Sequence, residues 1–150
     1  MTASITLFQS FNKYVGDGTI DLDTNTFNVT LHTSTYTPNA ATQTVYADLT
    51  NELSTAFGYT AGGVALGSVV WTQSTVTMKF DAADTTWAVS GGSVVCRYAV
   101  IRSTATANGH VAPLVAYILL DTTPADVTTT TGNNLTLQWD GAGIFTSAIV

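Results

Sequence analysis

The chain has 150 residues, a length that suits a single domain. Charged residues make up only 9% of it, and its four Lys and Arg residues leave a formal net charge of -6. Phosphate groups and anionic membrane surfaces both require clustered positive charge, so the composition disfavours nucleic-acid and membrane binding. The single cysteine, Cys96, excludes an intramolecular disulfide, and its apolar neighbours predict a buried thiol in a chain made for a reducing cytoplasm.

The first fifteen residues carry the only clear helical pattern, because apolar side chains recur there at helical spacing. This stripe consists of Leu7, Phe8, Phe11, Tyr14 and Val15. Ser4 is placed to cap the start of the helix, and Gly16 is placed to end it. An extended N-terminal arm over Met1 to Phe8 is the alternative interpretation.

Beyond Gly18 the period changes to two, which is typical of strands with one buried face. Predicted strands of this kind are Phe27 to His32, Val64 to Thr72, Val76 to Phe80, Trp87 to Val89, Leu135 to Trp139 and Ile144 to Val150. Two nearly continuous apolar runs, Val94 to Ile101 and Leu114 to Leu120, predict central strands covered on both faces. We expect a long connection over Ala40 to Tyr59 and a polar loop over Ser103 to Gly109.

These elements predict an all-β fold, an antiparallel β-sandwich with jelly-roll-like character and one short N-terminal helix or arm. No alternation of strands and helices appears, and one domain spans residues 1–150. Because so little charge is available to solvate the surface, we expect much of the exterior to be covered in an assembly. A monomer coated with Thr and Ser is the alternative.

Candidate catalytic groups are few and lack the spacing that catalysis requires. His32 and His110 show no zinc-ligand spacing and are predicted to be solvated surface residues. No G-x-S-x-G nucleophile motif is present, and the glycine pairs lack the phosphate-binding patterns, so they indicate turns. We therefore expect no enzymatic activity, no cofactor and no catalytic residue.

An acidic loop near the N-terminus is the best candidate for a metal site. Asp17, Asp21 and Asp23 present oxygen ligands of the kind that Ca²⁺ prefers. An EF-hand that begins at Asp21 would need Gly and Glu where this chain has Thr26 and His32. A turn held by side-chain to backbone hydrogen bonds is the favoured interpretation, and cation binding is left open.

The three tryptophans lie on or beside predicted strands, which favours a role in the core. They are Trp71, Trp87 and Trp139. Exposure of these rings would instead support a carbohydrate-binding or host-recognition module.

Six stretches spread over nearly the whole chain resemble a widespread group of small structural proteins of tailed phages, most closely the capsid decoration (cement) proteins. They are FNKYVGDGTIDLDTNTFNVTLHTSTYTPN (residues 11–39), GYTAGG (58–63), FDAAD (80–84), RYAVI (97–101), PLVAY (113–117) and QWDGAGIF (138–145). Each stretch alone is weakly specific, but their order and spacing together favour the resemblance.

The resemblance implies a virion protein that sits on the capsid exterior as a jelly-roll trimer at local three-fold axes. Its partners would be the major capsid protein and two further copies of itself, after synthesis in the host bacterial cytoplasm. We expect residues 1–15 to act as a docking element with Phe8, Phe11 and Tyr14 as anchors, since aromatic residues often dominate interface energy. Burial of these three rings against the chain's own sheet is the alternative.

A second functional hypothesis is a tail component, such as a tail-tube or minor tail subunit. Subunits of this kind form rings, and Ala40 to Tyr59 would then serve as a long loop between rings.

Overall fold

A computed structural model of the chain describes residues 3–148 and has antiparallel strands with one short α-helix, which confirms the predicted all-β class. The elements are β1 (Ser4–Leu7), α1 (Gln9–Gly16), β2 (Phe27–His32), β3 (Val64–Ala65), β4 (Val70–Ser74), β5 (Thr77–Asp81), β6 (Thr85–Ala88), β7 (Ser93–Cys96), β8 (Tyr98–Ser103), β9 (Thr106–Ala107), β10 (His110–Val111), β11 (Leu114–Leu119), β12 (Val127–Thr130), β13 (Asn134–Leu137) and β14 (Phe145–Ala148). A 3-10 turn lies at Tyr46–Asp48.

A five-stranded sheet, here called the main sheet, has the strand order β1-β11-β8-β2-β3 and is antiparallel throughout. Three small sheets pack against one face of it, with the orders β12-β7, β13-β6 and β14-β5-β4. The hairpin of β9 and β10 forms a two-stranded sheet of its own. This arrangement is a sandwich of antiparallel sheets, but its strand order does not confirm a jelly roll.

The central strand β8 is buried on both faces of the main sheet, as its apolar sequence predicts. Ala99, Val100 and Ile101 are each 0% exposed, although neighbouring side chains in a strand point to opposite faces. Ala99 and Ile101 join the larger core, which lies between the main sheet and the three small sheets. The smaller core, on the other face, consists of Phe8, Tyr36, Val100 and Leu114.

The long connection between β2 and β3 covers this second face. Its residues 33–59, here called the cover segment, are held to the main sheet by backbone hydrogen bonds. Leu114 N donates to Thr44 O at 3.0 Å, and Leu53 N donates to Leu31 O at 2.9 Å. Leu49 packs against the smaller core. The predicted long connection is thus present, and part of its backbone is hydrogen-bonded to the sheet it covers.

The predicted helix start is wrong, because Ser4–Leu7 forms an edge strand, which is extended as the alternative interpretation describes, rather than the first turn of a helix. Ser4 pairs with Leu119 and caps nothing, and the helix begins only at Gln9, without a side-chain cap. Pairing with β11 satisfies backbone groups that a short helix would leave open at its start. Of the alternative arm, Met1 and Thr2 lie outside the described residues.

Two of the predicted single strands are each divided between sheets. The run from Val94 to Ile101 breaks at Arg97, so that β7 pairs with β12 whereas β8 enters the main sheet. Arg97 N donates to His32 O at 2.9 Å, at the point where the chain passes from the small sheets to the main sheet. Val64 to Thr72 likewise separates into β3 and β4. Periodicity cannot reveal such breaks, since both halves are apolar.

Three smaller differences concern turns. The sequence predicts the link of the β4–β5 hairpin at Gln73 and Ser74, but the structure places this turn at Thr75 and Val76, where Thr75 takes a positive φ of 56°. The predicted polar loop after β8 contains the β9 strand. The threonine run from Thr128 to Thr131, predicted as a loop or an edge, lies in β12 up to Thr130. The closing strand is present as β14, although its predicted last two residues lie outside the described part of the chain.

Gly63 generates a prediction about the packing of β3 against β2. Its φ is +81°, and a Cβ added there would lie 2.1 Å from the carbonyl oxygen of Val29. Gly132 has a similar φ of +84° with nothing within 4 Å of an added Cβ. We expect Gly132→Ala to cost only the backbone strain of about 1–2 kcal/mol, and Gly63→Ala to cost clearly more in the free energy of unfolding. Urea denaturation measures both, and equal losses would contradict the close approach.

Candidate interaction site

The three predicted anchor residues are buried within the chain itself. Phe8 lies in the smaller core, with its ring edge-on to Tyr117 at 5.6 Å between centroids. Phe11 and Tyr14 lie in the larger core, at 4% and 3% exposure. The structure therefore places all three rings as the alternative interpretation describes, against the chain's own sheet. No ring surface is left there for a partner.

The histidines are not the solvated surface residues that the sequence predicts. His32 is 0% exposed, its Nδ1 lies 2.8 Å from Thr50 O, and its Nε2 lies 2.9 Å from Thr30 Oγ1. Because a carbonyl can only accept, Nδ1 carries the proton and Nε2 accepts from the threonine hydroxyl. His110 is half-buried, with its Nδ1 3.1 Å from Tyr14 Oη. Both imidazoles serve as hydrogen-bonding groups within the fold.

Cys96 is 0% exposed, which confirms the predicted buried thiol. Burial raises its pKa to about 12. Since the thiolate is the nucleophilic form, this position holds the thiol in its unreactive state at neutral pH.

The acidic loop is a set of turns in which carboxylates bind backbone N–H groups. Asp17 accepts from Thr19 N at 3.0 Å, and Asp21 accepts from Asp23 N at 2.9 Å. A hydrogen bond from Lys13 lowers the pKa of Asp17 to about 2. Within residues 3–148, no group of three metal-ligating side chains comes together. The favoured interpretation as an Asx-type turn is confirmed.

The tryptophans divide between the core and its margin. Trp87 is buried in the larger core, as predicted, whereas Trp71 and Trp139 are only half-buried. Trp139 donates from Nε1 to Ala83 O at 3.1 Å, which fixes the position of its ring. The prediction of three core tryptophans is thus correct for one of them.

A polar cluster around Glu52 was not expected from the sequence. The Glu52 carboxylate accepts from the hydroxyl groups of Tyr46 and Tyr59, the latter at 2.6 Å, and from Gly62 N at 2.6 Å. Arg102 donates to Gly62 O at 2.9 Å, and its guanidinium lies 4.2 Å from the centroid of the Tyr46 ring. The only signal in the sequence is that Glu52 is the sole glutamate of the chain.

This cluster joins the cover segment to the main sheet. Tyr59 Oη also accepts from Leu31 N in β2, at 3.1 Å. Burial raises the pKa of Tyr59, and burial together with the Glu52 hydrogen bond raises the pKa of Tyr46 to about 12. Both phenols therefore stay protonated at neutral pH and can donate to the carboxylate.

An apolar groove of about 530 Å³ opens between β1 and the small sheets. Its apolar lining includes Ile5, Ile118, Leu120, Leu135, Leu137 and Ile144. Asp140 and the Trp139 ring also line it. Ile5 remains 39% exposed, so part of this apolar lining is open to solvent.

Strand β1 borders the groove as the outer strand of the main sheet. It pairs with β11 on one side, and no other strand of residues 3–148 pairs with its second side. Its sequence from Ala3 to Leu7 contains no charge and no proline, the two devices that commonly protect exposed edges. The edge and the groove together form the candidate interaction site.

No family of known proteins matches the chain, and no curated protein or solved structure matches it either. Among the described residues, no helix has the length and apolar character needed to cross a membrane.

The Glu52 cluster predicts an unusual dependence of stability on one carboxylate. Glu52→Ala leaves two phenols and a backbone N–H without their acceptor, so we expect the free energy of unfolding to fall by about 3 kcal/mol. Asp121→Ala is the matched control, because its carboxylate binds only the exposed Thr123 and should cost less than about 1 kcal/mol. Urea denaturation of both variants measures the difference, and similar small losses would show that the cluster does not hold the cover segment.

Burial lowers the pKa of His32 below its ordinary value of 6.5, against the opposing effects of Thr50 and Glu52. As the pH falls, His32 therefore becomes protonated in the unfolded chain before it does so in the folded chain. The contribution of neutral His32 to the free energy of unfolding is fully present above pH 6.5 and is lost as the pH drops through the folded-state pKa. We expect His32→Gln to remove this loss between about pH 7.5 and 5.5, and His110→Gln to keep it. Urea denaturation at both pH values tests this, and an unchanged slope in His32→Gln would contradict it.

Proposed function

We propose that the chain is a non-enzymatic virion protein of a tailed phage, namely a capsid decoration protein that stabilises the head by bridging major capsid subunits. The observation that carries the proposal is the resemblance of six ordered stretches between residues 11 and 145. Its place is the capsid exterior, and its partners are the major capsid protein and further copies of itself as a trimer.

The way in which the chain uses its reactive side chains supports a structural role. Cys96 is a buried thiol, His32 is a buried hydrogen-bonding group, and Glu52 holds the cover segment to the main sheet. Each of these groups has a structural partner or a core position, and each stabilises the fold. A decoration protein needs such a rigid body, because rigidity lowers the entropic cost of binding.

The cover segment bears on the alternative function as a tail component. A loop between rings has to project from the subunit to reach its neighbour. Here residues 33–59 lie on the main sheet, where Tyr46 N donates to Ala112 O at 2.9 Å and Leu49 packs on the smaller core. This placement favours the capsid proposal over the tail proposal.

Light scattering on a sizing column, with negative-stain imaging of the same peak, tests the assembly. We expect a compact particle of three times the 15.7 kDa chain mass. Rings or tubes would favour a tail component instead. A monomer would contradict the proposed trimer. It would also show that the weakly charged surface is soluble without partners.

Co-sedimentation with undecorated heads tests the function itself. We expect the protein to bind heads purified from a phage that lacks the gene for this chain, and to raise the temperature at which those heads release their DNA. Multivalent contact with several capsid subunits is the physical reason for both effects. Failure to bind would contradict the proposal.

A further inference from the structure

The geometry points to strand addition at the candidate interaction site: we propose that the open edge of β1 and its groove bind an extended segment of the partner protein, with apolar side chains at alternate positions and a Lys or Arg near Asp140. The inference rests on the proposed function, since it names the surface and the kind of segment through which the capsid would be bound. In this mode of recognition, backbone hydrogen bonds give affinity and side-chain pockets give specificity.

The direction of the backbone groups in β1 follows from one hydrogen bond. Phe8 N donates to Val115 O at 3.1 Å, in the same register that pairs Ser4 with Leu119. In an antiparallel ladder, residues alternate between facing the neighbouring strand and facing away from it. The N–H and C=O groups of Thr6 therefore face β11, whereas those of Ile5 face the open edge.

The side chains of the same strand lead into the groove. Ile5 lines it from the main sheet, and Leu135 and Leu137 line it from β13 in the opposite layer. A strand added beside Ile5 would place every second side chain between the two layers. A volume of about 530 Å³ has room for several apolar side chains. The segment that fits is therefore extended and apolar at alternate positions.

Charge indicates which chain supplies that segment. Asp140 lines the groove, and no Lys or Arg of residues 3–148 forms an ion pair with it. Three of the four cations of the chain are already paired, as Lys13–Asp17, Lys79–Asp81 and Arg97–Asp126. The fourth, Arg102, is buried beneath the cover segment.

A second copy of this chain therefore has no unpaired, accessible Lys or Arg to place beside Asp140. A different protein with a basic residue in the bound segment supplies that charge, because opposite charges across an interface favour the correct partner. This complementarity assigns the site to the partner protein rather than to self-association.

The decisive comparison is Ile5→Pro with Ile5→Val, measured as affinity for undecorated heads. Proline removes the outward N–H of residue 5 but leaves the ladder to β11 intact, whereas valine keeps both the N–H and a branched apolar side chain. We expect Ile5→Val to bind heads like the wild type. We expect the affinity of Ile5→Pro for heads to be lower by a factor of at least about ten. Circular dichroism and the thermal midpoint verify that each variant is folded.

The charge is tested by Asp140→Asn, which keeps the oxygen that accepts from Ala142 N. We expect weaker head binding and a smaller dependence of affinity on salt. Asp121→Asn is the matched control at a carboxylate that does not line the groove, and it should bind like the wild type. This pair leaves the backbone unchanged, so it stays informative if Ile5→Pro fails to fold.

Each outcome separates the inference from the function on which it rests. If the wild type binds heads and the Ile5 and Asp140 variants bind equally well, the inference is wrong and the decoration role stands. If the wild type itself does not bind heads, both are wrong. If light scattering shows a wild-type oligomer that dissociates in Ile5→Pro, a second copy occupies the edge, and the inference is overturned.

Discussion

The burial of the main sheet on both faces is the constraint on which the rest of the structure depends. Strand β8 contributes Val100 to one core and Ile101 to the other, and each is inaccessible to solvent. A fully buried aliphatic side chain contributes about 1.5–3 kcal/mol, so neither face can be left open without a large loss. The cover segment exists to meet this requirement, and its own backbone groups must then find partners on the sheet.

That requirement explains why the chain places polar groups in its interior. Glu52 collects three donors from the cover segment and its continuation, and His32 joins Thr30 of the sheet to Thr50 of the cover segment. Buried polar groups stabilise a fold only when they are satisfied, because an unpaired group costs its full desolvation energy. The residues that resemble catalytic groups in the sequence are therefore the residues that fasten one layer to another.

The elements that could be predicted from the sequence are those with an unbroken local pattern. The alternation from Phe27 to His32 and the apolar run from Leu114 to Leu120 each give one strand, close to the predicted bounds. The break at Arg97 could not be predicted, because the residues on both sides of it are apolar and only the layer that each half joins differs. Local sequence carries no information about that choice.

The candidate site shows the same limit more strongly. A buried ring and a docking ring have the same sequence pattern, and the structure buries Phe8, Phe11 and Tyr14. The groove is assembled from strands more than a hundred residues apart, including Ile5 and Leu137. No spacing of residues indicates such a site before the two layers are in place.

The pairing of the first strand with the eleventh also has a consequence for how the protein forms. Ser4 meets Leu119, and Phe27 meets Ser103, so the main sheet closes only over very long loops of chain. Closing such loops costs entropy before any contact compensates for it, which slows folding. During synthesis, the N-terminal edge waits without its partner until most of the polypeptide has left the ribosome. Until then its uncharged strand is exposed to other nascent chains, and an unpaired strand edge of this kind favours aggregation.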